Sequence, residues 1–192
     1  MARNPKPTKS GTGAPPRSLY RKIQIVLAEA QRGRANSPGQ LIEQIEHRGH
    51  MDFTRYRPSS TGRVQVVPCS QESIRRVVEL CIELGLVKQS CDGLTAIGKR
   101  AVSPSSFDQV LRGVLADALE TIGTPLKQID RVIKELLSQY IEAELPTWES
   151  IYVHMTAASD NRHKEKFRSY MSLLSACDGI AYSRKKIYLP HL

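Results

Sequence analysis

The sequence has little of what marks a membrane-spanning, metal-binding or catalytic chain. Its longest apolar run, residues 25–28, is far shorter than the ~20 residues that cross a bilayer, so we expect no membrane partner. The four cysteines include no C-x-x-C pair, which indicates reduced thiols rather than a zinc ribbon or a redox motif. No nucleophile elbow, P-loop or H-E-x-x-H motif is present. The sequence therefore predicts a protein that is not an enzyme and that needs no cofactor or metal.

Acidic residues are scarce relative to basic ones. Lys and Arg number 28 against 19 Asp and Glu, which gives a net charge of +9. An excess of this size favours an anionic partner, nucleic acid above all, although an ordinary basic protein is the alternative. The basic start of the chain runs into prolines instead of an apolar segment, so it is not a secretory signal. We expect a cytoplasmic, nucleoid-associated protein or a nuclear one.

Helical periodicity and capping signals predict a chain that is mostly α-helical. Residues 1–17 are rich in proline and contain basic but no acidic residues, a composition typical of a disordered arm. The segment Ser37-Pro38-Gly39-Gln40 combines a capping box with a proline at the first helical position, so it predicts a helix start. Apolar residues at helical spacing predict further helices that begin near residues 18, 70, 107, 126 and 148 and after a turn at 159–161.

Each half of the chain also contains a helix followed by a predicted strand, turn and strand. In the first half, the predicted strand Leu86–Gln89 follows a helix that ends at Gly85. After the turn, Leu94-Thr95 of the segment Leu94-Thr95-x-x-Gly98 starts a second strand or a helix. In the second half, strands at 180–182 and 187–189 flank a basic turn. This order of elements and the Leu-Thr-x-x-Gly motif resemble winged-helix DNA-binding domains. The resemblance implies a mainly α fold with small β-hairpin wings, built as tandem winged-helix domains joined by a long helix.

The domain boundaries follow from this order. After the arm, we expect a first winged-helix unit at 18–103, with a basic insertion at about 49–69. A linking helix at 104–123 and a second unit at 124–192 complete the chain. The apolar residues of helix 107–122 could instead bind a protein partner or a second copy of the chain.

Winged-helix domains insert their third helix into the major groove and place the hairpin against phosphates. The resemblance therefore implies a non-enzymatic DNA-binding protein, either a transcriptional regulator or the DNA-binding subunit of a DNA-processing or defence assembly. Its partner would be duplex DNA. The alternative function is a winged-helix protein-interaction subunit of a larger complex that does not read DNA.

The candidate nucleic-acid-binding residues lie on the predicted third helices, on the wings and in the insertion. An ordinary charged surface is the alternative for the helices and wings, and Glu72 and Glu79 are suitably spaced to pair with arginines on the first of these helices. For the insertion, the alternative is a mobile loop whose aromatic residues pack on their own domain. We expect the second unit to supply most of the electrostatic attraction, because acidic residues offset fewer of its cations. The candidates are Gln71, Arg75, Arg76 and Lys88 in the first unit, Arg55, Arg57 and Arg63 in the insertion, and Arg162, Lys164, Lys166, Arg168, Arg184, Lys185 and Lys186 in the second unit.

Overall fold

The computed structural model describes residues 17–58, 64–139, 147–156, 163–177, 181–183 and 186–188, with side chains in 19–54, 68–136, 147–156 and 163–177. Most of this part of the chain is helical. Two antiparallel ladders pair β1 with β2 and β3 with β4, and a 3-10 turn at Met51–Phe53 precedes β1. The elements are α1 (Arg17–Gln31), α2 (Pro38–Arg48), β1 (Thr54–Pro58), β2 (Val64–Pro68), α3 (Gln71–Glu83), α4 (Ala96–Ala101), α5 (Phe107–Thr121), α6 (Leu126–Gln139), α7 (Trp148–Thr156), α8 (Lys164–Ala176), β3 (Ala181–Ser183) and β4 (Lys186–Tyr188).

Local capping residues set the helix boundaries. The Ser37 side chain accepts a hydrogen bond from the Gln40 backbone N–H at 3.3 Å, so the start predicted for α2 is confirmed. Gly49 ends α2 with a φ of 61°, in the left-handed region that favours glycine. Gly85 adopts the same region after α3, with a φ of 65°, and confirms the predicted end of that helix.

One hydrophobic cluster joins helices from both halves of the chain. The first helix, α1, packs against both α3 and α8, while α5 packs against α4, α6 and α8. The ring of Tyr20 on α1 meets that of Phe107 on α5 edge-on, with 4.8 Å between the ring centroids. Burial of each large apolar side chain is worth roughly 1.5–3 kcal/mol, so this shared core is the main stabilising feature of the fold. Within the described residues, no helix combines the length and the apolar content that spanning a bilayer requires.

The predicted fold class, with β-hairpin wings on tandem winged-helix domains, is wrong. The described core is helical, and none of the named strands contributes a described side chain to it. Where the first wing was expected, only an isolated bridge pairs Val87 with Leu94. The helix predicted to link two units is α5, which lies in the shared core. Of the second predicted wing, the structure describes only the backbone of β3 and β4, three residues each.

The Leu-Thr-x-x-Gly motif starts a helix, one of the two elements that the sequence leaves open at Leu94-Thr95. The Thr95 hydroxyl accepts a hydrogen bond from the Gly98 backbone N–H at 3.0 Å and so caps α4. The same hydroxyl donates to the Gly85 carbonyl at 2.5 Å, which ties the start of α4 to the end of α3. Gly98 itself lies against the Leu86 carbonyl, so closely that a Cβ atom would stand 1.8 Å from that oxygen. The motif therefore joins two helices through contacts that need these residue types.

Candidate nucleic-acid interface

The end of α2, the β1–β2 hairpin and the start of α3 lie next to one another. The Gln71 side chain donates from Nε2 to Glu46 Oε2 at 2.6 Å, which ties the first residue of α3 to α2. The Cys69 backbone N–H donates to the Phe53 carbonyl at 2.6 Å and closes the base of the hairpin. The hairpin therefore leaves the helical core between α2 and α3.

Two exposed arginines on α3 share one carboxylate. The side chains of Arg75 and Arg76 are 54% and 76% exposed. Arg75 Nη1 lies 3.6 Å from one oxygen of Glu72, and Arg76 Nε lies 3.1 Å from the other. These are the ion pairs that the charged-surface alternative predicts for Glu72. Exposed pairs of this kind are worth about 0–1 kcal/mol, so a phosphate can replace the carboxylate at little cost.

The remaining candidates of the first half lie on the hairpin and beyond α3. Arg55 and Arg57 occupy alternate positions of β1, paired in register with Val67 and Gln65 of β2. Their side chains, like the whole of Arg63, lie outside the described part of the chain. Lys88 follows α3 in the chain, and its Nζ lies 3.4 Å from Asp92 Oδ1.

The candidate cations on α8 each face an acidic partner. Arg162, Arg184 and Lys185 lie outside the described residues, as does the side chain of Lys186, the first residue of β4. On α8 itself, each described candidate cation forms an ion pair with its own acidic residue. The ion pairs are Lys164 with Glu149 at 2.7 Å, Lys166 with Glu83 at 2.6 Å, and Arg168 with Glu165 at 3.8 Å.

Two of these cations also lie over the indole ring of α7. Lys164 Nζ is 5.8 Å and Arg168 Cζ is 5.5 Å from the centroid of the Trp148 ring, which is buried. Cations within about 6 Å of an aromatic centroid are attracted by the ring quadrupole. These side chains therefore help to hold α8 against α7.

Glu83 connects α3 to α8 through two hydrogen bonds. The buried Tyr170 hydroxyl donates to Glu83 Oε1 at 2.8 Å, and Lys166 Nζ donates to the same oxygen at 2.6 Å. Burial raises the pKa of Tyr170, and the Glu83 carboxylate raises it further, so the hydroxyl keeps its proton and remains a donor. Sequence reasoning missed this contact because it joins residues 87 positions apart.

We expect Tyr170→Phe to lower the free energy of unfolding by about 1 kcal/mol. Loss of a fully buried hydrogen bond to a charged group would cost more, but Glu83 is partly exposed. Chemical denaturation of the single variants and of Tyr170→Phe with Glu83→Ala completes a double-mutant cycle. A coupling energy of about 1 kcal/mol is expected for this contact. Additive effects of the two substitutions would show that the hydrogen bond does not stabilise the protein.

The buried carboxylate of Glu29 pairs with three basic side chains. The Glu29 side chain is 1% exposed, and its Oε1 accepts hydrogen bonds from Arg32 and from His50 Nε2, the latter at 3.1 Å. Arg48 Nε lies 3.1 Å from Oε2 as an ion pair without hydrogen-bond geometry. Sequence reasoning did not select any of these four residues. The available signal was an acid three residues after Val26, at the edge of the apolar face of α1.

The apolar face of α5, considered above for a protein partner, lies in the core. The side chains of Phe107, Leu111, Leu115 and Leu119 are 2% exposed or less.

Two cysteines are also inert components of the core, because burial raises the pKa of the Cys81 and Cys91 thiols and keeps them protonated.

The chain matches no family model, no curated protein and no solved structure. Its function is therefore inferred from the geometry of the described residues alone. In that geometry, the cations of α3 share one acid, whereas each described candidate on α8 has its own.

Proposed function

We propose that the protein binds duplex DNA without catalysing a reaction, as a transcriptional regulator or as the DNA-binding subunit of a DNA-processing or defence assembly. The proposed interface is the surface formed by the end of α2, the β1–β2 hairpin and the start of α3. The observation that carries this proposal is the pair Arg75 and Arg76, exposed on α3 and sharing a single carboxylate. The net charge of +9 adds a long-range attraction for a polyanion.

The start of α3 suits contact with DNA for a geometric reason. An α-helix fits the major groove, which is about 12 Å wide, and side chains near its N-terminus reach the base edges. Basic side chains beside them reach the phosphates on the groove edge. Gln71 opens α3, and Arg75 and Arg76 follow within its first two turns. The hairpin that carries Arg55 and Arg57 begins beside this helix end and supplies positions for phosphate contacts.

The cations of α8 have a smaller part in this proposal than the sequence suggested. Lys166 is held by Glu83, while Lys164 and Arg168 contact Trp148. Moving any of them to a phosphate would give up a contact that joins two helices. Among the described residues, the one ion-pair partner that the arginines of α3 would give up is Glu72, whose carboxylate is exposed.

The proposal is tested with purified full-length protein and a fluorescently labelled duplex of random sequence, by fluorescence anisotropy over a salt series. If about six phosphates are contacted, log affinity should fall with log salt at a slope of roughly −5. Affinity should then drop about a thousandfold between about 50 and 200 mM salt. Matched single-stranded DNA and duplex RNA should bind more weakly. A salt-independent affinity, or no binding to duplex DNA at about 50 mM salt, would overturn the proposal.

A further inference from the structure

The buried carboxylate of Glu29 is costly to keep in the core. Moving an ionised carboxylate out of water costs several kcal/mol, and well-packed apolar residues often replace buried ion pairs without loss of stability. Each cationic partner of Glu29 remains partly exposed, with Arg32 at 45%, Arg48 at 36% and His50 at 28%. The network therefore fixes the positions of three basic side chains that still reach the surface.

The three partners come from separate parts of the chain. Arg32 directly follows α1, Arg48 is the last residue of α2, and His50 precedes the 3-10 turn. An ionised carboxylate only accepts hydrogen bonds, so His50 donates to it from Nε2. The Nδ1 atom of His50 donates to a phosphate oxygen when the ring is an imidazolium. A guanidinium has five N–H donors, and Arg32 keeps further donors after its bond to Glu29.

Two of these side chains, Arg32 and His50, border an open hollow on the surface. The hollow has a volume of about 380 Å³ and is lined by Arg21, Gln24, Arg32, His50 and Asp52, with Glu29 also in its wall. Within the lining, Arg21 and Arg32 balance the charges of Glu29 and Asp52. Arg48, which pairs with Glu29 from outside the lining, adds a further positive charge next to the hollow.

The hollow and the proposed DNA interface share His50 as a lining residue. His50 also lines the cleft formed with Thr54 and Pro68, at the base of the hairpin, and with Ile74 of α3. A DNA backbone that follows this cleft away from α3 would meet His50. Phosphate oxygens accept several N–H donors at once, and arginines bind them through paired, charge-assisted hydrogen bonds.

We propose that the hollow is a phosphate-binding site and that Glu29 is a positioning residue, which holds Arg32 and His50 in place for one phosphate of the DNA backbone. This inference rests on the proposed function and adds a contact outside α3. Glu29 is buried and does not touch the phosphate itself. Its effect on binding is transmitted through Arg32 and His50, which line the hollow.

The substitution Glu29→Gln separates positioning from simple neutralisation because the two predict opposite changes in DNA affinity. The change makes the protein more positive, so simple electrostatics predicts tighter DNA binding. Loss of one positioned phosphate contact predicts binding about 8-fold weaker at about 0.1 M salt. The matched control is Glu43→Gln, an exposed acid on α2 that makes the same change in charge. The site is overturned if Glu29→Gln binds DNA as tightly as the control or more tightly.

A second variant covers the case in which Glu29→Gln does not fold, which circular dichroism would reveal. Arg32→Gln with His50→Gln leaves the buried acid in place and changes only partly exposed side chains. It should weaken DNA binding about 8-fold at about 0.1 M salt and make the salt slope about one unit shallower. The control pair Arg34→Gln with His47→Gln changes the same residue types at exposed positions. Equal affinities for the two double variants would contradict the site.

Inorganic phosphate tests the site independently of DNA. Titration at constant ionic strength should shift the NMR resonances of the His50 ring, and those of His154 should stay unchanged. If phosphate shifts His50 but duplex DNA does not bind, the site stands for free phosphate and the proposed function fails. If DNA binds but neither phosphate nor the variants have an effect, the proposed function stands and the site fails.

Discussion

Replacing Gly98 with alanine is expected to lower the free energy of unfolding by about 3 kcal/mol, at the upper end of the range for overpacked cores. The added Cβ would stand 1.8 Å from the Leu86 carbonyl oxygen and 2.9 Å from its carbon. Both are backbone atoms, so no side-chain rotation can relieve the clash. Either α4 moves away from Leu86, or the Thr95 hydrogen bonds to Gly85 and Gly98 are lost. Calorimetry should show a melting temperature lower by about 6–12 °C.

The matched control is Gly113→Ala, in the middle of α5. Gly113 is exposed, and a Cβ there would meet nothing within 4 Å. Alanine is favoured over glycine inside a helix by about 0.5–1 kcal/mol, so this variant should be more stable than the original protein. The two glycine-to-alanine changes therefore have opposite expected signs. A Gly98→Ala protein as stable as the original would mean that α4 does not pack against Leu86 as described.

Replacing Arg75 and Arg76 with glutamine should weaken binding to duplex DNA about 60-fold at about 0.1 M salt. Each phosphate contact contributes about 0.9 to the slope of log affinity against log salt, which corresponds to about 8-fold at this salt concentration. Loss of two contacts should therefore also make the slope shallower by about 1.8. Both side chains are exposed on α3, so the helix and its core contacts should be retained.

The control for this variant is Arg131→Gln with Lys134→Gln on α6. It removes the same charge from two exposed positions, and Arg131 has a helical ion pair with Glu135 at 3.6 Å, as Arg76 has with Glu72. Charges farther away than the screening length of about 10 Å have little effect on affinity at about 0.1 M salt. Equal losses for the two variants would show that net charge, and not the α3 surface, determines binding.

The helices could be predicted from the sequence because their ends depend on neighbouring residues. Ser37 caps α2 and Gly85 follows α3 as expected from residue type alone. The element that follows the turn in the first predicted wing could not be determined from the local sequence, because Leu94-Thr95 suits the start of a strand and of a helix equally well. Thr95 caps the helix by accepting from the Gly98 N–H, a local bond. Its second bond, to the Gly85 carbonyl ten residues earlier, joins α4 to the end of α3 and appears only after folding.

The candidate site could be predicted only as far as the positions of the cations. The sequence picks out Lys166 and Arg76 equally, as basic residues on helices. It does not show that Lys166 pairs with Glu83, 83 residues away in the chain. Among the described residues, Arg76 pairs instead with Glu72 on the same helix. Glu29 was missed because its basic partners converge on it from three segments, a grouping that appears only after folding.

The contacts of α1 with both α3 and α8 have a thermodynamic consequence for these three helices. A helix that packs against two others in one core cannot separate from either of them without exposing apolar surface. Partial opening that frees α8 alone would expose apolar surface of α1 and break the bonds of Glu83 to Tyr170 and Lys166. We therefore expect the amides of the three helices to exchange through a cooperative opening. A ligand that binds at the start of α3 should accordingly slow hydrogen exchange in α8 as well.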